Sequence, residues 1–291
     1  MKLLNNSQIG CMLGLAVGDA LGAPVEFNER DSFEPISEME AGGYFDLPAG
    51  AWTDDTAMSL ALFHSLKVNE GLDRKHLLQE FCEWMENGKY SSTGKSVGIG
   101  QNTFWTLNEF RRSGVLEAAS QNNKSDGNGS LMRLAPVPVL FSNDKPKALK
   151  IAIEQSFTTH SSNVAAEACA FACNIIVDLI NGKTWDSAID ATPNDMQFLQ
   201  DIPSGGWRNK SRDKISSSGY VIHTLEAALW CVNQTGSFDE AVLLAVNLGD
   251  DADTVGAVTG QFAGALYGYD SINKDWLDLL KLNQYPFNML H

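Results

Sequence analysis

Two acidic clusters hold most of the chemistry available to this 291-residue chain. Residues 52–62 read WTDDTAMSLAL, with Asp54 and Asp55 beside Thr53 at the head of an apolar run. Near the other end, residues 249–260 read GDDADTVGAVTG, where Asp250, Asp251 and Asp253 crowd together ahead of Thr254. Like charges this close repel one another and resist burial. Asp and Thr at a helix N-terminus can accept its orphan amide hydrogens and suit its dipole. A cap needs only one acceptor, however, and two matching clusters exceed that need. Hard divalent cations offer the other reason. Mg²⁺ and Mn²⁺ favour octahedral coordination by carboxylate, hydroxyl and water oxygens, and Thr-Asp-Asp with Asp-x-Asp-Thr could together hold two ions. Zinc fits less well, because neither cluster contains His or Cys. On the residues alone, capping plus surface charge stays the alternative, and Asp250 is expected as a cap or supporting group.

Three further stretches carry polar groups in suggestive places. Residues 125–137, SDGNGSLMRLAPV, begin with a loop that tolerates left-handed dihedrals. Its exposed amides could cradle phosphate oxygens without a positive side chain, although an ordinary turn is the plainer reading. Residues 158–171, TTHSSNVAAEACAF, set His160 just before a helix start at Ser161 or Ser162. A lone His there reads first as a hydrogen-bonded packing residue. Residues 91–103, SSTGKSVGIGQNT, read as a glycine-containing connector.

The elements that must position these groups are helices. Residues 56–68, 75–87, 164–181, 220–233 and 237–248 place apolar side chains at three-and-four spacing. Gly88 and Gly182 follow two of the runs, and SFDE at 237–240 has the form of a capping box. The best strand candidate, residues 135–141, contains Pro136 and Pro138, which cannot both sit in a central ladder. The fold class is therefore all-α, read as one domain over residues 1–291. Residues 28–50, 121–130 and 192–218 read as loops, the last of them on the surface. Gly10, Gly14, Gly18 and Gly22 recur every four residues, as do Gly256, Gly260, Gly264 and Gly268. A glycine inside a helix costs about 1 kcal/mol against alanine, so each stripe predicts a neighbouring backbone packed tightly against it.

Composition bounds the function classes. The 44% hydrophobic and 20% charged shares are those of an ordinary globular protein. A net charge of −15 repels a polyphosphate backbone and argues against bulk nucleic-acid binding. The five cysteines, at 11, 82, 169, 173 and 231, form no CxxC pair and read as buried thiols of a reducing compartment. Residues 9–17 could pass for a short signal-peptide core, but Lys2 is the only early positive charge and Asp19 follows at once. No uncharged apolar run reaches the ~20 residues that span a bilayer. The expectation is a cytoplasmic protein with no membrane partner.

Taken together, seven segments resemble the ADP-ribosylglycohydrolase (ADP-ribosylhydrolase) family. They are GCMLGLAVGDALGAPVEF, WTDDTAMSLAL, SSTGKSVGIGQNT, GNGSLMRLAPV, THSSNVAAEACAF, GYVIHTLEAALW and LGDDADTVGAVTGQFAGALYG, in family order over roughly residues 10–269. The resemblance implies a compact orthogonal multi-helix domain with two Mg²⁺ or Mn²⁺ ions at the base of a central cleft that takes ADP-ribose. Thr53, Asp54, Asp55, Asp251, Asp253 and Thr254 match the family's metal ligands. Glu26, closing GAPVEF, matches a glutamate proposed to act in catalysis, and with Asp54 and Asp55 forms the expected catalytic set. Ser125, Gly127, Asn128, Gly129 and Ser130 match the loop around the diphosphate and ribose, and His160 matches a substrate contact. Tyr220 falls where the family places part of the adenosine pocket, and Gly98 and Gly100 fall on the substrate side. Arginine-specific members commonly read STGxxxDIG. Here Gly98 stands in place of that aspartate, which looks more like members acting on serine-linked ADP-ribose or small esters. The implied activity is metal-dependent hydrolysis of the ribose C1″ bond of an ADP-ribosylated protein or small conjugate, through an oxocarbenium-like transition state. The competing readings are a catalytically silent ADP-ribose binder and a hydrolase of another small nucleotide.

Overall fold

In the computed structural model, residues 3–118, 126–192, 196–199 and 201–280 are described. Ser125 lies outside them. The apolar runs become α1 (Asn6–Gly22), α2 (Asp54–Asn69), α3 (Arg74–Asn87), α4 (Gln101–Ser113), α5 (Gly129–Met132), α6 (Pro136–Phe141) and α7 (Lys145–Ser156). They continue as α8 (Asn163–Ile180), α9 (Trp185–Asp190), α10 (Val221–Gln234), α11 (Phe238–Val246), α12 (Ala252–Tyr267) and α13 (Lys274–Leu279). Among the described residues there is no strand, only isolated antiparallel bridges at Gly42–Leu47 and Gly127–Tyr220. The proline-bearing stretch rejected as a strand is helix α6, with Pro136 at its first position, where the missing N–H costs nothing.

Local signals end these helices where the sequence suggests, with one difference. Asn5 and Gln8 close a full capping box on α1. At α11, Ser237 accepts from Glu240 N, but the Glu240 carboxylate reaches Gly236 N instead of Ser237 N. The box expected over residues 237–240 is thus displaced by one residue on its return arm. The 192–218 segment also departs from a surface loop. Leu199, Ile202, Trp207 and Ile215 are buried, because these apolar side chains anchor an otherwise polar connector to the core.

The glycine stripes meet each other. Helices α1 and α12 run antiparallel, with Gly10, Gly14 and Gly18 facing Gly264, Gly260 and Gly256. A Cβ added at Gly256 would lie 2.5 Å from Gly18 O, and one at Gly260 2.5 Å from Gly14 C. The two backbones are in direct contact, which only the absence of side chains permits. At the end of this seam a Cβ on Gly22 would lie 2.5 Å from Asp253 N, so the C-terminal end of α1 abuts the start of α12.

Around this pair a continuous apolar core gathers side chains from α1 through α13. Helices α1 and α8 are long and apolar enough to cross a membrane, yet 83% of each such window is buried inside the fold. All five cysteines are buried and free. The Gly260→Ala substitution gains helix propensity but must push the two backbones apart. We expect a net loss of about 3 kcal/mol or more in urea denaturation, and an unchanged midpoint would show that the seam is loose.

Candidate active site

The seam brings the two acidic clusters together from opposite ends of the chain. Thr53 Oγ1 lies 3.3 Å from Asp253 Oδ2 and 3.4 Å from Asp55 Oδ2. Thr254 Oγ1 lies 3.5 Å from Asp55 Oδ2. Glu26 joins from the short helical turn after α1, and one carboxylate oxygen from each of Glu26, Asp251 and Asp253 falls within 4.8 Å of the others. Thr53, Asp54, Asp55, Asp253, Thr254 and Glu26 are all buried.

Capping does not account for these acids, although Asp253 Oδ1 accepts from Thr254 N at 2.8 Å in the first turn of α12. Thr53 stands at the N-cap position of α2 and Asp251 at that of α12, and neither side chain makes a capping bond. The cap of α2 comes instead from Asp19, a residue in the middle of α1. Its carboxylate accepts from Thr53 N (2.9 Å), Thr53 Oγ1 (2.9 Å), Thr56 N (3.0 Å) and Thr56 Oγ1 (2.6 Å). One anion from a neighbouring helix thereby fixes the first turn of α2, which carries Asp54 and Asp55. Asp250 does not cap either. It sits at φ +56, its carbonyl accepts from Phe27 N and its amide donates to Asn28 O, both at 2.7 Å. Its role is to clamp the segment carrying Glu26 beside α12.

Among the described residues these acids form no ion pair, and burial together with their mutual repulsion raises their pKa values. Asp54, Asp55 and Asp253 are held well above the ordinary carboxylate range, first by burial and then by one another's charge. Glu26 is pushed up to about 11 by burial and by Asp253, Asp54, Asp251 and Asp19. Asp251 rises to about 6 despite its bond from Asn128. Glu26 Oε2 and Asp55 Oδ1 are buried with no hydrogen-bond partner among the described residues. An all-oxygen donor set with orphaned carboxylate oxygens and excess negative charge fits a hard divalent cation.

The cluster forms the floor of a cleft of about 1000 Å³ lined also by Phe27, Phe45, Gly98, Gly100, Gly127, Asn128, Gly129 and His160. Asn128 Nδ2 donates to both Thr224 Oγ1 (2.8 Å) and Asp251 Oδ2 (2.5 Å), tying the glycine loop to the acids. Gly98 has φ +81, and a Cβ there would collide with Asp54 Oδ1. The aspartate of STGxxxDIG would be strained at this φ and would displace the Asp54 carboxylate, whereas glycine lets the loop press against Asp54.

His160 is buried beneath the glycine loop, and burial with the nearby Arg133 charge lowers its pKa to about 3, so the ring is neutral. Its tautomer follows from its neighbours. Arg133 Nη2 donates to Thr159 Oγ1 at 2.8 Å, and Thr159 Oγ1 lies 2.8 Å from His160 Nδ1. Among the described residues Nδ1 is the one acceptor placed for the Thr159 proton. This leaves the proton on Nε2, the nitrogen facing Gly129 and the cleft.

Two residues expected to face substrate do not line the cleft. Ser130 is fully buried in α5, where its hydroxyl meets Ser156 Oγ at 2.8 Å behind the loop. Tyr220 pairs through its backbone with Gly127, while its ring packs edge-on to His223. Conversely, Asp19 and Arg133 were not singled out by motif. The available signal was a charged residue inside an otherwise apolar helical stretch, which burial tolerates only with partners.

A helical domain with an oxygen-lined acid cluster and a glycine loop facing one ligand-sized cleft defines the class. The ADP-ribosylglycohydrolase family pattern matches residues 3–287, and the chain belongs to that family. It is 40% identical over 273 residues to the ADP-ribosylarginine hydrolase Tri1 of Serratia proteamaculans, covering 93% of this chain and 74% of that protein. It is 29% identical to the ADP-ribosyl-[dinitrogen reductase] glycohydrolase of Rhodospirillum rubrum over 96% of this chain and 92% of that one. A solved structure described as an ADP-ribosylglycohydrolase-related protein complex superposes with a TM-score of 0.83 at 34% identity, covering 98% of this chain and 94% of the other. Membership makes the protein an ADP-ribosyl hydrolase.

Two outcomes test the site. Asp19→Ala strands two amides and two hydroxyls in the interior, and should cost about 3 kcal/mol or more in chemical denaturation. A cost near that of an exposed cap, about 1 kcal/mol, would show that Asp19 does not organise α2. The second concerns pH. Asp19 and Asp251 bind protons up to about 6 when folded, against an ordinary 3.8. The folded chain thus holds more protons than the unfolded one, and their stabilisation is full below 3.8 and lost as pH rises through about 6. A divalent cation displaces the Asp251 proton, so the Tm gain from saturating Mg²⁺ over chelator should grow from about pH 4 to about pH 7. A pH-independent gain would contradict cation binding at these acids.

Proposed function

We propose that the protein is a divalent-cation-dependent hydrolase that removes ADP-ribose from arginine side chains of modified proteins, in a reducing, cytoplasmic setting. The observation that carries this reading is the convergence of Glu26, Asp54, Asp55, Asp251 and Asp253 under a cleft whose described lining residues include no Lys or Arg. The relative that matches at 40% identity is named for arginine linkages. An arginine leaving group brings a cation, and the mouth of the cleft suits one. Phe27, Tyr44 and Phe45 pack edge to face there, with Phe27 58% and Tyr44 75% exposed, and aromatic faces beside carboxylates attract a guanidinium.

Thr53, Asp54, Asp55, Asp251, Asp253 and Thr254 would hold two ions, Mg²⁺ or Mn²⁺. When bound, they supply Lewis-acid polarisation of the ribose hydroxyls and of the attacking water. The chain's own groups do the rest. The backbone amides of Gly127 and Gly129 and the Nε2 proton of His160 hold the diphosphate, while the Asn128 amide is engaged by Gly219 O, turning remote binding into positioning. Glu26, whose Oε2 has no partner among the described residues and whose own proton bound cations would displace, takes the proton of the attacking water as C1″ gains oxocarbenium character.

Gly98 favours a second reading, in which a serine-linked or small ester conjugate is the substrate. Arginine-, serine- and ester-linked ADP-ribose offered side by side, with Mg²⁺ or Mn²⁺ and with chelator, separate the two. Metal-dependent release from arginine is expected, with Phe27→Ala raising KM for that substrate roughly fivefold through lost cation–π attraction. Release from serine or ester alone would overturn the arginine assignment, and no release from any would favour a silent ADP-ribose binder.

A further inference from the structure

Outside the cleft, the described residues contain one other convergence of metal-ligating side chains. His64 lies late in α2, while His76 and Glu80 stand one turn apart on α3. One ligand atom from each falls within 4.8 Å of the other two. His64 is ten residues beyond Asp54, about 15 Å along the helix, so this group is separate from the acid cluster.

The geometry points to a zinc-class transition-metal site here, with His64, His76 and Glu80 as ligands bridging α2 to α3. His76 and Glu80 are each oriented by neighbours that leave a coordinating atom available. His76 Nδ1 lies 3.0 Å from Ser65 Oγ, which turns Nε2 toward Glu80 Oε1 at 3.8 Å. Glu80 Oε2 is occupied by Lys89 Nζ at 2.5 Å and by the Tyr90 hydroxyl, so Oε1 is the free oxygen. The His64 and His76 rings lie face to face, 5.9 Å between centroids and 10° apart. Two imidazoles and one carboxylate suit Zn²⁺ and the metals of similar preference, whereas the all-oxygen cleft suits Mg²⁺ and Mn²⁺. His76 and Glu80 are 28% and 11% exposed at their side chains, so solvent can reach the site and fill the remaining coordination position. Hydrogen-bonded partners of this kind are what orient the ligands of protein metal centres. A bound ion would tie α3, and the 88–100 connector that follows it, to the helix carrying Asp54 and Asp55.

The proposal is tested by calorimetric titration of Zn²⁺, and by the visible spectrum on adding Co²⁺, in excess Mg²⁺ so that the acid cluster is already filled. The wild-type chain and Asp253→Asn should each bind one Zn²⁺, and Co²⁺ should give the absorption of a low-coordinate nitrogen-containing site. His64→Ala and His76→Ala should each weaken Zn²⁺ binding more than about 100-fold and abolish the spectrum. Glu80→Gln should weaken it about tenfold or more, and far-UV circular dichroism confirms that each variant is folded. Wild-type protein that takes up no Zn²⁺ under these conditions would overturn the assignment. So would uptake that survives both histidine substitutions and disappears in Asp253→Asn. None of these readouts depends on hydrolase activity, so failure here leaves the proposed function standing.

Discussion

Direct contact between the backbones of α1 and α12 is the constraint on which the rest of this structure depends. Helices whose facing positions carry side chains keep their axes 8–10 Å apart. The two glycine stripes remove those side chains along four successive turns, so main chain meets main chain. The same seam delivers Asp19 and the turn bearing Glu26 to the N-termini of α2 and α12. Had the axes stood a few ångströms further apart, Thr53 and Asp253 would not share a hydrogen bond, and no set of carboxylates could act on one cation.

That convergence opposes itself. Carboxylates buried together repel, and the helix N-termini of α2 and α12 offset only part of the repulsion. The structure sorts its acids by the donors each receives. Asp19 accepts four hydrogen bonds and serves as an internal brace. Glu26 and Asp55 retain bare oxygens and are left to act on something outside the chain. Residues of one chemical type therefore take opposite roles, decided by which amides and hydroxyls surround them. The same holds for histidine. Arg133 and Thr159 set the proton of His160 from behind, so a buried cation that never faces the cleft governs the polarity of a group that does.

Much of this could be read in advance. The periodic segments became helices within a residue or two, since apolar spacing and nearby stop signals are local properties. The prolines at 136 and 138 correctly removed the one strand candidate. Crowded acids beside threonines marked the floor of the cleft, because a cap does not need so many. Asp19 was passed over, since its four donors lie more than thirty positions away in sequence. Ser130 and Tyr220 match the motif but are not among the residues lining the cleft. A motif specifies residue types in order, while the side on which a hydroxyl or ring emerges depends on the helix that begins there.

Sequence alone therefore determined the all-α class, the two acid clusters, the glycine stripes and the family, because periodicity, residue type and spacing are carried by the chain itself. Tertiary structure decided which acids brace and which stay bare, why position 98 favours glycine, and which nitrogen of His160 carries the proton. It also set two histidines and a glutamate together on α2 and α3. Those outcomes rest on hydrogen bonds and close approaches between residues far apart in sequence, and only the folded backbone fixes their distances.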